Sequence, residues 1–240
     1  MEKGALQDRL RSRSQPNGGL ADILFAMKTS GDRAVVYTVA KRIFDVAGSL
    51  ALLILLAPIM VVVAIFIRFG TPGPAFFHQQ RLGIKGQPFK LWKFRTMMDG
   101  SGAVSHDRLT RDDPRITSIG KVLRAWGIDE SPQLWCILIG QMSLVGPRPA
   151  PLYHLDHYTQ LQRTRLSVKP GLTGWAMLSG RNAIPWEDRI QLDVWYVENA
   201  SVLLDLRILV RSVGVIVGRK GVYGPGGMND TFGQRGQGVK

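Results

Sequence analysis

VAGSLALLILLAPIMVVVAIFI, residues 46–67, carries no formal charge and almost nothing polar. A helix over these 22 residues is long enough to cross the ~30 Å of hydrocarbon in a bilayer, so the segment reads as membrane-embedded. Pro58 falls near its middle, where the missing N–H and the pyrrolidine ring bend a helix. Both flanks are basic: Lys41 and Arg42 come before the segment, and Arg68, Arg81 and Lys85 come after it. Basic flanks favour the cytoplasmic side. Applied to both ends, that rule predicts a re-entrant helix that enters, turns at Pro58 and leaves on the side it came from. A straight span with a periplasmic domain, and a core helix buried in protein, are the competing readings.

On the N-terminal side, residues 1–40 are polar, basic and interrupted by glycine. They read as a mostly mobile tail with a short helix over 20–28, and no apolar stretch followed by a cleavage site marks a signal peptide. The whole chain of 240 residues is 45% hydrophobic, enough to build a core. Its 31 Lys and Arg against 18 Asp and Glu leave a net charge of +13. Such an excess suits anionic lipid, phosphorylated substrates or nucleic acid. The basic residues match no groove-reading motif, so nucleic acid is the least favoured partner. The single cysteine, Cys136, rules out an intramolecular disulfide. It sits in an apolar run and reads as a buried structural thiol.

On the C-terminal side, turn residues over 70–74 lead into AFFHQ (75–79) and PFKLWKFRT (88–96), which read as two short strands. In the second, Lys90 and Lys93 alternate with aromatic residues. The pattern fits nucleotide stacking and fits a lipid-facing sheet edge equally. His106 lies in a polar loop with no ligand partner at metal spacing. Then comes RAWGIDESPQLWCILIGQMSLVGPRP, residues 124–149. Asp129 and Glu130 precede Ser131-Pro132, an N-cap followed by proline in a first helical turn. Two acids lie between Arg124 and Arg148 at a helix start, where an anion is stabilised. Phosphate chemistry is one reading; acids that merely favour the helix start are the other. Residues 153–168 read as an amphipathic helix with His154 and His157 exposed. Residues 202–217 are apolar but carry Asp205, Arg207 and Arg211, so an interfacial helix with snorkelling arginines is expected instead of a second span. Gly171, Gly174 and Gly180 mark tight turns, and the glycine-rich tail over 219–240 reads as loose.

Taken in order, KRIFD (41–45), the proline-broken apolar helix, WKFRTM (92–97), DESPQLW (129–135), MSLVGPRP (142–149), KPGLTGWAMLSGRN (169–182) and LDVWYVEN (192–199) make a specific set. Together they resemble the bacterial sugar transferase family, the monotopic phosphoglycosyl transferases that begin polysaccharide and glycan assembly. The resemblance covers about residues 41–218 and is to the minimal, single-domain members. It departs at Ala57, where many members carry serine before the proline, which leaves the bend to Pro58 alone.

The resemblance implies transfer of a sugar-1-phosphate from a UDP-sugar to a polyprenol phosphate such as undecaprenyl phosphate, with release of UMP. It makes Asp129 the nucleophile, forming a covalent phosphosugar, and a ligand of the Mg2+ cofactor. Glu130 becomes the second acid, which positions or deprotonates the acceptor. It aligns Lys93, Arg124, Arg148 and Arg181 with cations around the phosphates and nucleotide; a surface or lipid-headgroup cation is the lesser alternative for each. The expected architecture is α+β: a basic tail (1–40), a re-entrant membrane helix (41–70), and a compact cytoplasmic catalytic domain with interfacial helices (71–218). The glycine-rich tail (219–240) follows, and a homo-oligomer stays open. The expected location is the bacterial inner membrane, in exopolysaccharide or related glycan synthesis. A glycosyltransferase that releases UDP and a basic membrane scaffold without activity are the alternatives.

Overall fold

The computed structural model describes residues 20–100, 113–180 and 184–218. The chain divides into two units between Ala40 and Lys41, and the contacts below all lie within the second. The longest element is helix α1, Leu20–Gly70. The helix expected over 20–28 and the membrane segment are therefore one continuous element. Helical backbone persists through Pro58. The turn expected there is thus not a break in secondary structure, since a proline can bend a helix without ending it.

Most of the apolar surface of α1 is exposed, including Ile54, Leu55 and Phe66. One narrow stripe is not. Asp45, Ser49, Val63 and Ile67 are buried, and Leu53, Leu56, Met60 and Ala64 pack between them against the cores. The steps of three and four residues place these side chains on one face. The folded region after the helix therefore packs along it.

The sheet structure is slight. Strands β1 (Phe76–Leu82) and β2 (Pro88–Phe94) form an antiparallel hairpin in which Phe77 faces Lys93 and Leu82 faces Pro88. Both strands match the expected stretches to within a few residues. Helix α2, Ser118–Trp126, is capped by Thr117, whose hydroxyl accepts from the Gly120 N–H at 3.0 Å. A 3-10 turn, Ile128–Glu130, leads into α3, Gln133–Leu138. Two further strands, β3 (Ser143–Val145) and β4 (Gly171–Thr173), pair in parallel. At three residues each they have no alternation for a sequence reading to detect. α4 (Gln160–Arg163) and α5 (Trp175–Leu178) are single turns, followed by α6, Trp186–Asn199, and α7, Val202–Val217. The main core joins Leu91 of β2, Cys136 and Ile137 of α3, Val145 of β3, Tyr196 of α6 and Ile208 of α7. Cys136 is fully buried there, as expected.

Four expectations are corrected. Ser131 is not an N-cap: its backbone is already helical and its hydroxyl donates to the Ile128 carbonyl at 2.8 Å, because the turn begins earlier, after Gly127. The helix expected over 153–168 is a broken succession of 3-10 turn Leu152–His157, α4 and 3-10 turn Thr164–Leu166. A capping box at Thr159 restarts the chain there, and Arg165 must point inward to its buried partner. His154, expected at the surface, is buried between Tyr158 and Trp186, whereas His157 is exposed. In α7, Arg207 and Arg211 face outward as expected, but Asp205 is buried and accepts from Lys41 at 2.7 Å and from the Tyr196 hydroxyl at 2.7 Å. His106 and the tail over 219–240 lie outside the described residues.

Candidate active site

The two acids owe their position to a glycine. Helix α2 ends where Gly127 turns left-handed, at φ 69° and ψ 13°. A side chain disfavours that conformation, and glycine takes it freely. The chain reverses into the 3-10 turn, Ile128 packs against the core that holds the end of α1, and the next two residues project at the rim of the β-hairpin.

Glu130 meets two cations from two elements. Its Oε1 accepts from Lys93 Nζ on β2 at 2.8 Å and from Arg148 Nη2 in the loop after β3 at 2.8 Å. Burial works to raise the Glu130 pKa, but the Arg148 and Lys93 charges outweigh it and hold the carboxyl far below the usual range. Asp129 is in the opposite state. It is 9% exposed, and among the described residues no hydrogen bond reaches its carboxylate. Burial, which the Lys93, Arg124 and Arg148 charges offset only in part, pushes it up to about 6. Neighbouring carboxyls driven apart in this way are no longer equivalent: one is a fixed counter-ion, the other an available and more basic carboxyl.

The surrounding cations are held from behind. Arg124, from α2, donates through Nε to Thr96 Oγ1 at 2.8 Å, just beyond the end of β2. The Arg148 carbonyl accepts from Arg165 Nη2 at 2.8 Å. Arg165 in turn pairs with Asp193 of α6 at 2.6 Å, and both side chains are almost wholly buried. Arg165 also donates to the Tyr158 hydroxyl.

Lys93, Arg124, Asp129, Glu130 and Arg148 are thus brought to one place from four separate parts of the chain. Arg181 lies outside the described residues. Pro58 is remote in the sequence and sits within α1. Sequence reasoning did not single out Thr96, Gly127, Arg165 or Asp193. Thr96 and Asp193 fall inside quoted motifs, but a threonine after an arginine and a lone acid in a helix carry no chemistry until their partners are known.

A sequence profile described as "Bacterial sugar transferase" matches residues 36–219. The chain is 44% identical over 184 residues to the uncharacterized sugar transferase EpsL of Bacillus subtilis, covering 77% of this chain and 90% of that protein. It is 34% identical over 233 residues to the exopolysaccharide production protein ExoY of Rhizobium meliloti, covering 91% of this chain and all of ExoY. The UDP-glucose:undecaprenyl-phosphate glucose-1-phosphate transferase of Escherichia coli is 37% identical over 72% of this chain, which spans only 39% of that larger protein. With its motifs in this order, its acids and cations gathered at one site and a family match over most of its length, the chain belongs to the bacterial sugar transferase family.

Proposed function

We propose that this protein is a polyprenyl-phosphate sugar-1-phosphate transferase, moving a hexose-1-phosphate from a UDP-sugar to undecaprenyl phosphate and releasing UMP. The observation that carries the reading is the contrast between an ion-locked Glu130 and an uncommitted, more basic Asp129 inside a ring of cations. An Asp129 oxygen attacks the phosphorus bonded to the sugar. The bond from that phosphorus to the bridging oxygen breaks, and UMP departs with the oxygen and its electron pair. The resulting acyl phosphate divides one difficult displacement into two. An oxygen of the lipid phosphate then attacks the same phosphorus, the Asp129 carboxylate leaves, and the polyprenyl diphosphate sugar is complete.

Lys93, Arg124 and Arg148 stabilise charge on the transferring group, and Arg181 is assigned to the same set. Glu130 holds Lys93 and Arg148 convergent. With both cations on one oxygen it is a positioning group and a poor base. The described residues contain no group of three or more His, Cys, Asp or Glu that could hold a metal by themselves. Asp129 offers hard oxygen donors, which fits Mg2+, an ion commonly bound through a carboxylate, substrate phosphate and water. When bound, Mg2+ would neutralise the diphosphate and the departing UMP.

The site is assigned to the cytoplasmic face of the inner membrane, with α1 re-entrant. The ends of the apolar segment support this topology, because both are tied to one folded domain. At one end Arg42 donates to the Ile137 and Leu138 carbonyls at 2.8 Å each, and Asp45 accepts from Ser143 at 2.9 Å and from the Leu144 N–H at 2.8 Å. At the other, Ile67 is buried against Phe94 and Leu123. About 33 Å of helix separates Asp45 from Ile67. A domain with a charged site cannot follow a helix through hydrocarbon, so both ends belong on one side. Trp126 and Trp135, on either side of the acid turn, are exposed, as suits residues at a lipid interface. A pathway of exopolysaccharide or related glycan assembly follows from this reaction.

The test is nucleotide release by the purified protein with undecaprenyl phosphate, Mg2+ and a panel of UDP-sugars. UMP from one sugar, lost in Asp129→Asn, is the expected result. UDP would instead indicate a glycosyltransferase without an aspartyl intermediate.

A further inference from the structure

Arg95 stands between the membrane helix and the catalytic residues. It is buried, and it lies one residue beyond the end of β2. Its Nη2 donates to the Thr71 carbonyl and the Thr71 hydroxyl, both at 2.9 Å, and to the Ile67 carbonyl at 3.3 Å, while Nη1 donates to the Pro72 carbonyl. These carbonyls belong to the last turn of α1 and the two residues just past it, the negative end of the helix dipole, which favours a cation. The guanidinium is therefore spent on backbone at the point where the apolar helix stops.

The neighbours of Arg95 in sequence face other tasks. Lys93 reaches Glu130, Phe94 packs with Val63 and Ile67 of α1, and Thr96 holds Arg124 through its hydroxyl. Four consecutive residues thus join the end of the membrane helix to two of the site's cations. The backbone at Arg95 is pinned as well, its N–H donating to the Ala75 carbonyl at 2.9 Å. No comparable link is needed to hold a soluble substrate. It is needed if the height of the acids above the bilayer matters.

We infer that Arg95 is a positioning residue that sets the depth of Asp129 relative to the membrane, and so governs the step with the lipid acceptor. The inference rests on the transferase reading above. Because the donor reaches the site from water, the attack of Asp129 on the UDP-sugar does not depend on this link. The attack by the lipid phosphate does, since a small misplacement of reacting groups is costly to rate.

The experiment uses the full chain in phosphatidylethanolamine and phosphatidylglycerol vesicles, with the same panel of UDP-sugars as donors and undecaprenyl phosphate as acceptor. Two readouts are separated: the burst of UMP without acceptor, and the KM for undecaprenyl phosphate in turnover. Arg95→Met should leave the UMP burst unchanged and raise the acceptor KM about tenfold. Arg95→Lys, which keeps a donor but not the fork, should fall between. Gly73→Ala tests the link without substituting Arg95. Gly73 has φ +107°, and a Cβ there would run into the Arg95 guanidinium and the Asp99 carboxylate, so it should reproduce the acceptor defect. An intact burst also proves that each variant is folded. If Arg95→Lys loses burst and transfer together, or loses neither, Arg95 is an ordinary helix clamp and the inference is overturned. A wild type that gives no UMP overturns the transferase reading itself, and this inference with it.

Discussion

At the scale of single residues, the site is two carboxyls in opposite electrostatic conditions, and this has a consequence for stability. The native Asp129 pKa, about 6, lies above its ordinary value of 3.8. Between those values the folded state binds more protons than the unfolded state, so the group lowers stability as pH rises through that window. Below the ordinary value it contributes no penalty; above about pH 6 the penalty is complete. Asp129→Asn in metal-free buffer should therefore raise the unfolding free energy by roughly 3 kcal/mol at pH 8 and by almost nothing at pH 3.5. Thermal or urea unfolding of both proteins at the two pH values checks this, and an equal effect at both would show that burial does not penalise the charge. The identity of the acid pair was legible in the sequence, because two acids between arginines form a local pattern. Which acid is locked and which is available was not, because that depends on Lys93 and Arg148, which arrive from distant segments.

At the scale of elements, the site depends on how α6 supports the loop after β3. Arg165 and Asp193 form a buried pair behind the Arg148 carbonyl. Burial pushes the Asp193 pKa up even against the attraction of Arg165, which marks the pair as electrostatically expensive to hold. Removing one partner of such a pair leaves an uncompensated charge, so Arg165→Met should cost about 3–5 kcal/mol. The double variant Arg165→Met with Asp193→Leu should recover much of that stability, since apolar replacement of a whole buried pair is often neutral or better. It should not recover turnover, because nothing then holds the Arg148 carbonyl. Urea unfolding alongside UMP release checks both parts; full recovery of activity would show the pair to be structural only. Elements with period or punctuation were readable here: the hairpin strands, the apolar helix and α7. The segment over 153–168 was not, because its apolar residues at helical spacing belong to separate short turns whose direction is set by Arg165 and by the Thr159 capping box.

At the scale of the whole molecule, the topology of the apolar segment decides where the chemistry happens. With α1 re-entrant, residues on either side of the segment face the same compartment. Val39→Cys and Arg68→Cys should both resist a membrane-impermeant maleimide in intact cells and both react in inverted vesicles. Cys136 is fully buried and should not compete for the label. Labelling of one position from each side would establish a straight span and would place the two sets of anchors on α1 in conflict with the bilayer.

What the sequence determined by itself was composition-driven and local. A charge-free stretch of this length must lie in lipid or in protein, and two adjacent acids set between arginines marked a candidate anion site. The ordered motifs then identified the family. What only the tertiary structure decided was every relation between distant parts. Lys41 and Arg42, which read as a basic flank that fixes the side of the membrane, are internal ties to Asp205 and to the carbonyls at the end of α3. Asp205, which read as an interruption in an interfacial helix, is one end of such a tie. The reason is physical: a charge announces itself in sequence, but whether it meets water, lipid or an opposite charge depends on what the fold brings within a few ångströms of it.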